Sequence, residues 1–327
     1  MKRFTSTAVR IGIAAAFVVT AAACGSDSSS STATTAAPGT TAASTTAPGT
    51  TGPGTTAAGT TGPASTAMAD APKAIVSLSP TGTEMLFAIG AGSQVIAVDD
   101  QSTYPAEATK KPHTLSGFEP NVEAIAKLKP DLVVMSDTKV KDQLTSLGIK
   151  VWIGSAPKDF KGIYDQIEQL GAATGHVADA AGLVASMQHD IASAVNGVTA
   201  PATPLKVYHE LDPTFYSVTS NTFIGAVYNL FGMKNIADGA QAGNDYPQLN
   251  AEYIVKANPD LVVLADSKCC SADAKSVGSR PGWSGVSAVQ HQGVLTVDDD
   301  IASRWGPRIV DFVKAVAAAA AKVPAGA

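Results

Sequence analysis

The sequence predicts an α/β protein of two similar lobes, each a parallel sheet flanked by helices, bridged by one long helix. Three observations lead there: a strand–helix–strand unit opens the folded part, a 14-residue segment recurs 129 positions downstream, and a helical stretch of about 20 residues lies between the copies. Ala74-Ile75-Val76-Ser77-Leu78 is a β-rich apolar run that ends at Ser79-Pro80. Thr81 with Glu84 three residues on reads as a capping box, and Met85, Leu86, Phe87 and Ile89 form an apolar helix face that stops at Gly90. Val95 to Val98 is a second strand. Strand, helix and strand at this spacing make a βαβ unit, which implies a parallel sheet with helices on its faces.

The repeat carries the architecture further. Asn121-Val122-Glu123-Ala124-Ile125-Ala126-Lys127-Leu128-Lys129-Pro130-Asp131-Leu132-Val133-Val134 returns as Asn250-Ala251-Glu252-Tyr253-Ile254-Val255-Lys256-Ala257-Asn258-Pro259-Asp260-Leu261-Val262-Val263. In each copy Asn caps a short helix, Pro-Asp breaks it and Leu-Val-Val starts a buried strand. Upstream, Thr83 to Gly90 in the first lobe is matched with Thr222 to Gly232 in the second. Ala178 to Val198 has apolar residues at helical spacing and no proline, and a helix of that length spans ~30 Å, the width of a small domain. Ala200-Pro201-Ala202-Thr203-Pro204 ends it and leads into a strand from Leu205 to Leu211.

Ahead of the folded part lies an export signal and a tether. Lys2, Arg3 and Arg10 precede an apolar run, Ile11 to Ala23, that is shorter than the ~20 residues a membrane span needs, so residues 1–23 read as a secretory signal peptide. Ala21-Ala22-Ala23-Cys24 resembles a bacterial lipobox with Ala where Leu is usual, which makes Cys24 the expected lipid acceptor; ordinary cleavage that leaves a free Cys24 is the other reading. Residues 28–69 carry no charge and no aromatic, and 24–72 is expected to be a disordered tether rich in Ser, Thr, Ala, Gly and Pro. The remaining boundaries are 73–177 for the first lobe, 178–200 for the linking helix and 201–327 for the second lobe. Of 23 Lys+Arg and 28 Asp+Glu, 20 and 27 lie from Asp70 onward. That acidic balance excludes a nucleic-acid binder that needs a basic face.

Enzyme signatures are missing. There is no Gly-x-Ser-x-Gly, no P-loop and no His-Glu-x-x-His, and Gly90-Ala91-Gly92 precedes a strand instead of following one. No enzymatic activity and no cofactor are expected. Cys269-Cys270 is open to a vicinal disulfide or to a soft-metal thiol pair; with no third ligand nearby it reads as a local loop feature.

Ser77-Leu78-Ser79-Pro80-Thr81-Gly82-Thr83-Glu84, the twin Glu…Pro-Asp-Leu-Val-Val segments, Phe223-Ile224-Gly225, Arg280-Pro281-Gly282-Trp283 and Arg304-Trp305-Gly306-Pro307-Arg308 resemble the helical-backbone (class III) substrate-binding proteins of ABC importers. That family captures ferric siderophores, cobalamin and haem, and the resemblance covers Lys73 to about Ala321. It implies two Rossmann-like lobes joined by one rigid helix, a chelate held between them, a monomer, and delivery to a permease dimer at the outer face of the cell membrane. Ligands of open α/β sheets sit beyond the carboxyl ends of the strands, which nominates Thr81, Gln101, Tyr104, Phe118 and Asp137 in the first lobe and Tyr216, Asp266, Arg304 and Trp305 in the second. Only Arg280, Arg304 and Arg308 follow the signal segment, and a guanidinium offers planar bidentate bonds that Lys does not, so Arg304 is the expected ligand anchor. Arg308 could instead pair with Asp311. Glu123 and Glu252, one per repeat, are matched to the rim glutamates that meet permease arginines in this family.

Two rival readings stay open. A receptor for bare zinc or manganese would draw on His113, His209, Glu210 or Asp212, although His209 and Glu210 are neighbours on a strand and point to opposite faces. A structural surface lipoprotein would have no ligand site at all.

Overall fold

The structure, a computed structural model, describes residues 71–323. The expected signal peptide, Cys24 and nearly all of the tether lie outside the described residues. None of the described helices is long and apolar enough to cross a membrane.

In the first lobe β1 (Ile75–Leu78), β2 (Val95–Val98), β3 (Leu132–Met135) and β4 (Lys150–Ile153) form a parallel sheet in the order β2-β1-β3-β4. In the second lobe β5 (Lys206–Glu210), β6 (Lys234–Asn235), β7 (Leu261–Leu264) and β8 (Val294–Thr296) repeat that order as β6-β5-β7-β8. The duplicated Leu-Val-Val segments become β3 and β7, both fully buried, as strands covered on two faces must be. The repeated Asn caps form as well: Asn121 accepts from the Ala124 amide at 2.9 Å and Asn250 from the Tyr253 amide at 2.8 Å.

The first helix departs from the expected capping box. It spans Pro80–Ala88, and Ser79, not Thr81, is the cap, accepting from the Gly82 amide at 3.2 Å. Proline at the first helical position has no amide to satisfy and its fixed φ suits the turn, so the helix starts two residues earlier than Thr81 would place it. Glu84 is thereby freed from capping. The matching helix, Phe223–Asn229, is capped by Thr222 on Gly225, so the true repeat aligns Ser79 with Thr222 rather than Thr83. Both third positions are glycine because a β-carbon would collide, with Val134 at Gly82 and with the Thr219 carbonyl at Gly225.

The linking helix runs Val177–Asn196, and its buried residues Ala180, Val184, Met187 and Ile191 form a single stripe. That stripe belongs to a core shared by both lobes. Ile75, Met85, Leu86 and Val134 of the first lobe, the linking helix, and Val207, Phe223, Val263 and Phe312 of the second make one apolar cluster. Alternate residues of the same strands build a separate core on each far face: Val76, Leu78 and Val133 in one lobe, Tyr208, Val262 and Leu264 in the other. The terminal helix, Ile309–Ala320, lies along the linking helix and is tied to it by Lys314 and Asp190 at 2.8 Å. The two lobes are therefore fused through a common interior as well as through one helix.

Candidate functional site

The carboxyl ends of the two sheets meet. The loop after β2 touches the segment after β8: Thr103 Oγ1 donates to Asp300 at 3.3 Å and the Arg304 guanidinium donates to the Gln101 carbonyl at 3.0 Å. Solvent-facing aromatics stand in the loops beyond the strand ends: Phe118 (71% exposed) and Tyr104 (47%) after β2 and Tyr216 (41%) after β5, all expected, and Tyr246 (42%) after β6, which the sequence reading missed. Tyr246 lies in the loop ahead of the second Asn cap, and Tyr216 reaches that loop through a bridge to Gln248. Asp137 and Lys139 flank Phe118: the two pair at 3.4 Å, and Lys139 Nζ donates to the Phe118 carbonyl at 3.0 Å. A side pocket of about 470 Å³ opens between the lobes, walled by Phe87, Tyr104, Pro105, Pro307 and Arg308 and bordered by Glu84.

The expected polar anchors are placed differently. Arg304 is turned inward, with Glu84 at 2.9 Å and Asp300 at 2.8 Å as well as the Gln101 carbonyl. Arg308 pairs not with Asp311 but with Glu84, through Nε at 2.9 Å and Nη2, while its guanidinium lies 4.3 Å from the centroid of the Tyr104 ring. One buried carboxylate from the first lobe thus receives two guanidiniums from the second. The third arginine repeats the theme within one lobe: Arg280 grips Glu210 with two 2.6 Å bonds, and Tyr208 donates to the same carboxylate at 3.0 Å. Trp305 is half-buried, its indole N–H on Gln166 at 3.0 Å and its ring edge-to-face with Phe223. Thr81 is buried in the first turn of its helix, against Gly306. The sequence reading named Glu84 as a cap, Arg280 in a family motif and Glu210 as a candidate metal ligand, and it missed the ion pairs they form because nothing local in the sequence pairs them.

Asp266 is fully buried and neither carboxyl oxygen has a hydrogen-bond partner. Burial first, and the neighbouring Glu210 charge second, push its pKa up from 3.8 to about 6. Asp99, at the end of β2, is similar: one oxygen accepts from the Gln101 amide at 2.9 Å, the other is unpaired, and burial lifts the group to about 6. His209 faces the other way, into the shared core, with Nδ1 2.6 Å from the Tyr228 hydroxyl and Phe312 edge-on. Burial holds it neutral, its pKa lowered from 6.5 to about 3. His209 and Glu210 occupy opposite faces, and among the described residues no three His, Cys, Asp or Glu side chains converge as a metal site.

The family model described as periplasmic binding protein matches residues 75–301. The chain belongs to that family. Relatives of this binding protein include an uncharacterized ABC transporter substrate-binding lipoprotein of Bacillus subtilis, 35% identical over 256 residues that cover 75% of this chain and 79% of the relative. A Halobacterium salinarum protein named cobalamin-binding protein is 32% identical over 251 residues, 73% of this chain and 67% of its own. Among solved structures, a possible iron-binding (periplasmic solute-binding) protein from Staphylococcus epidermidis superposes with a TM-score of 0.67 at 26% identity, covering 76% of this chain and 98% of that one.

The binding protein's two raised carboxyls and its depressed histidine act on stability with opposite signs. Asp99 and Asp266 bind a proton more tightly folded than unfolded, so their contribution is greatest below pH 4 and is lost as pH rises to about 6. His209 binds its proton less tightly folded, so its contribution is lost as pH falls from 6.5 toward 3. The two slopes offset each other in the overlap. Asp99→Asn/Asp266→Asn removes the slope of the two raised carboxyls, and the variant should melt several degrees above the parent at pH 7, with the gain gone by pH 4. A difference in melting temperature that does not vary with pH would contradict this.

Proposed function

We propose that this protein is the extracytoplasmic receptor of an ABC importer and that its guest is a corrinoid such as cobalamin, bound against the aromatic rim where the two sheets meet. The observation that carries the guest's identity is the engagement of all three arginines among the described residues with carboxylates. Haem propionates and ferric catecholates are anionic and call for free cations. A corrin presents neutral amides at its edge, which suit an apolar rim with a few hydrogen-bonding groups. The name of the Halobacterium relative supports the same choice. The name of the Staphylococcus structure keeps an iron chelate as the second reading.

In this reading Phe118, Tyr104, Tyr216 and Tyr246 stack on the guest, and Gln101, Asp137 and Lys139 supply polar contacts. Arg304, Thr81, Asp266 and Trp305 support the walls from within. Glu123 and Glu252 meet the permease dimer, and a lipid on Cys24 holds the receptor at the membrane. Tryptophan fluorescence tests the guest, since Trp305 lies at the junction. Cyanocobalamin should quench it saturably, while haemin, a ferric tricatecholate and zinc bind at least about tenfold more weakly, a gap of 1.4 kcal/mol. A tighter response to the catecholate or haemin would overturn the corrinoid assignment, and no response to any of them would overturn the receptor reading.

A further inference from the structure

Cys269 and Cys270 are joined as a vicinal disulfide in the helical turn Ser267–Cys270, directly after β7 and Asp266, and both residues are exposed. The ring closes over one peptide bond and so restricts the backbone of both residues. Ser271, which follows, closes the turn in the left-handed region at φ 57°, its amide donating to the Ser267 carbonyl at 3.1 Å. The turn is fastened on its other side by Asp299, whose carboxylate accepts from Ser267 Oγ at 3.0 Å, the Lys268 amide at 2.9 Å and the Cys269 amide at 3.0 Å. Lys268 Nζ then spans Asp298 at 2.8 Å and Asp300 at 2.9 Å. Asp300 is the residue that takes Thr103 of the first lobe and Arg304, and Arg304 leads to Glu84. An unbroken series of contacts joins the disulfide to the bracket between the lobes.

We propose that this disulfide is a redox modification site that fastens the second-lobe wall of the ligand site, and that a dithiol reductant releases it. A thiolate of the dithiol attacks one exposed sulfur and expels the other, which takes a proton. The second thiol of the dithiol resolves the mixed disulfide. Two electrons and two protons pass to the cysteines, which become thiols, while the reductant becomes a disulfide. Without the ring, the turn loosens, the amides of Lys268 and Cys269 leave Asp299, and Lys268 loosens its hold on Asp298 and Asp300. The consequence for the guest rests on the receptor reading above.

The test uses the full chain, oxidised or treated with dithiothreitol and alkylated, and compares hydrogen exchange across residues 267–272 with cyanocobalamin affinity. Reduction should label both cysteines, speed exchange of the Lys268 and Cys269 amides by about tenfold or more, and weaken cobalamin several-fold. Re-oxidation should restore both, and Cys269→Ser/Cys270→Ser should match the reduced protein whatever the redox conditions. Resistance to the dithiol, or unchanged exchange with both thiols alkylated, overturns the site. Faster exchange with unchanged cobalamin affinity overturns its link to the guest. Faster exchange in a protein that binds no chelate even when oxidised upholds the site and overturns the receptor reading instead.

Discussion

Glu84→Ala should cost about 3–5 kcal/mol of stability, because removing one partner of a buried ion pair leaves the other charge uncompensated: Arg308 loses its carboxylate, and Arg304 keeps only Asp300. Glu84 is 3% exposed, and the side chains of Arg304 and Arg308 are 11% and 14% exposed. Glu84→Gln should fare little better, since an amide neutralises neither guanidinium. The melting temperature should fall by roughly 10 °C for a protein of this size. In Arg304→Ala the Glu84 carboxylate keeps Arg308, so that variant should cost less than Glu84→Ala. Glu123→Ala serves as the surface reference, expected within about 0.5 kcal/mol of the parent. A loss below about 1 kcal/mol for Glu84→Ala would mean that the bracket does not hold the lobes.

The docking role proposed for Glu123 and Glu252 predicts that Glu123→Ala combined with Glu252→Ala lowers uptake about tenfold or more while leaving guest affinity unchanged, since rim charges of that kind act on encounter with the partner. The two glutamates are exposed, each the second residue of an Asn-capped helix, and neither makes an ion pair among the described residues. Such positions tolerate a carboxylate without needing one for stability, because a helix N-terminus gains only a few tenths of a kcal/mol from it. Each single substitution should give a partial loss relative to the parent that narrows as salt screens the attraction. Transport assayed in cells or vesicles with the cognate permease, alongside equilibrium binding of cyanocobalamin, separates docking from capture. Full transport by the double variant would remove the docking role.

Much of the fold was legible because its signals are local. β1, β2, β3, β5 and β7 follow from β-branched runs, the Asn caps from their side chains, and the linking helix from its periodicity. β6 escaped because it is two residues long, and β4 and β8 because they are partly exposed and lack the continuous apolar run. The aromatic rim was legible in part, since loops after strands can be read from the strands themselves. The charged residues were not. Arg304 reads as a ligand anchor and Glu84 as a helix cap until the chain folds back on itself.

By itself the sequence determined two α/β halves, the helix between them and the loops that carry aromatics, since each depends on residues within one turn or one strand of each other. Tertiary structure alone decided which charges remain for a guest: Glu84 and Arg304 are 220 residues apart in the chain and 2.9 Å apart in space. A buried carboxylate must find its cation wherever the fold brings one, and no local pattern records that choice.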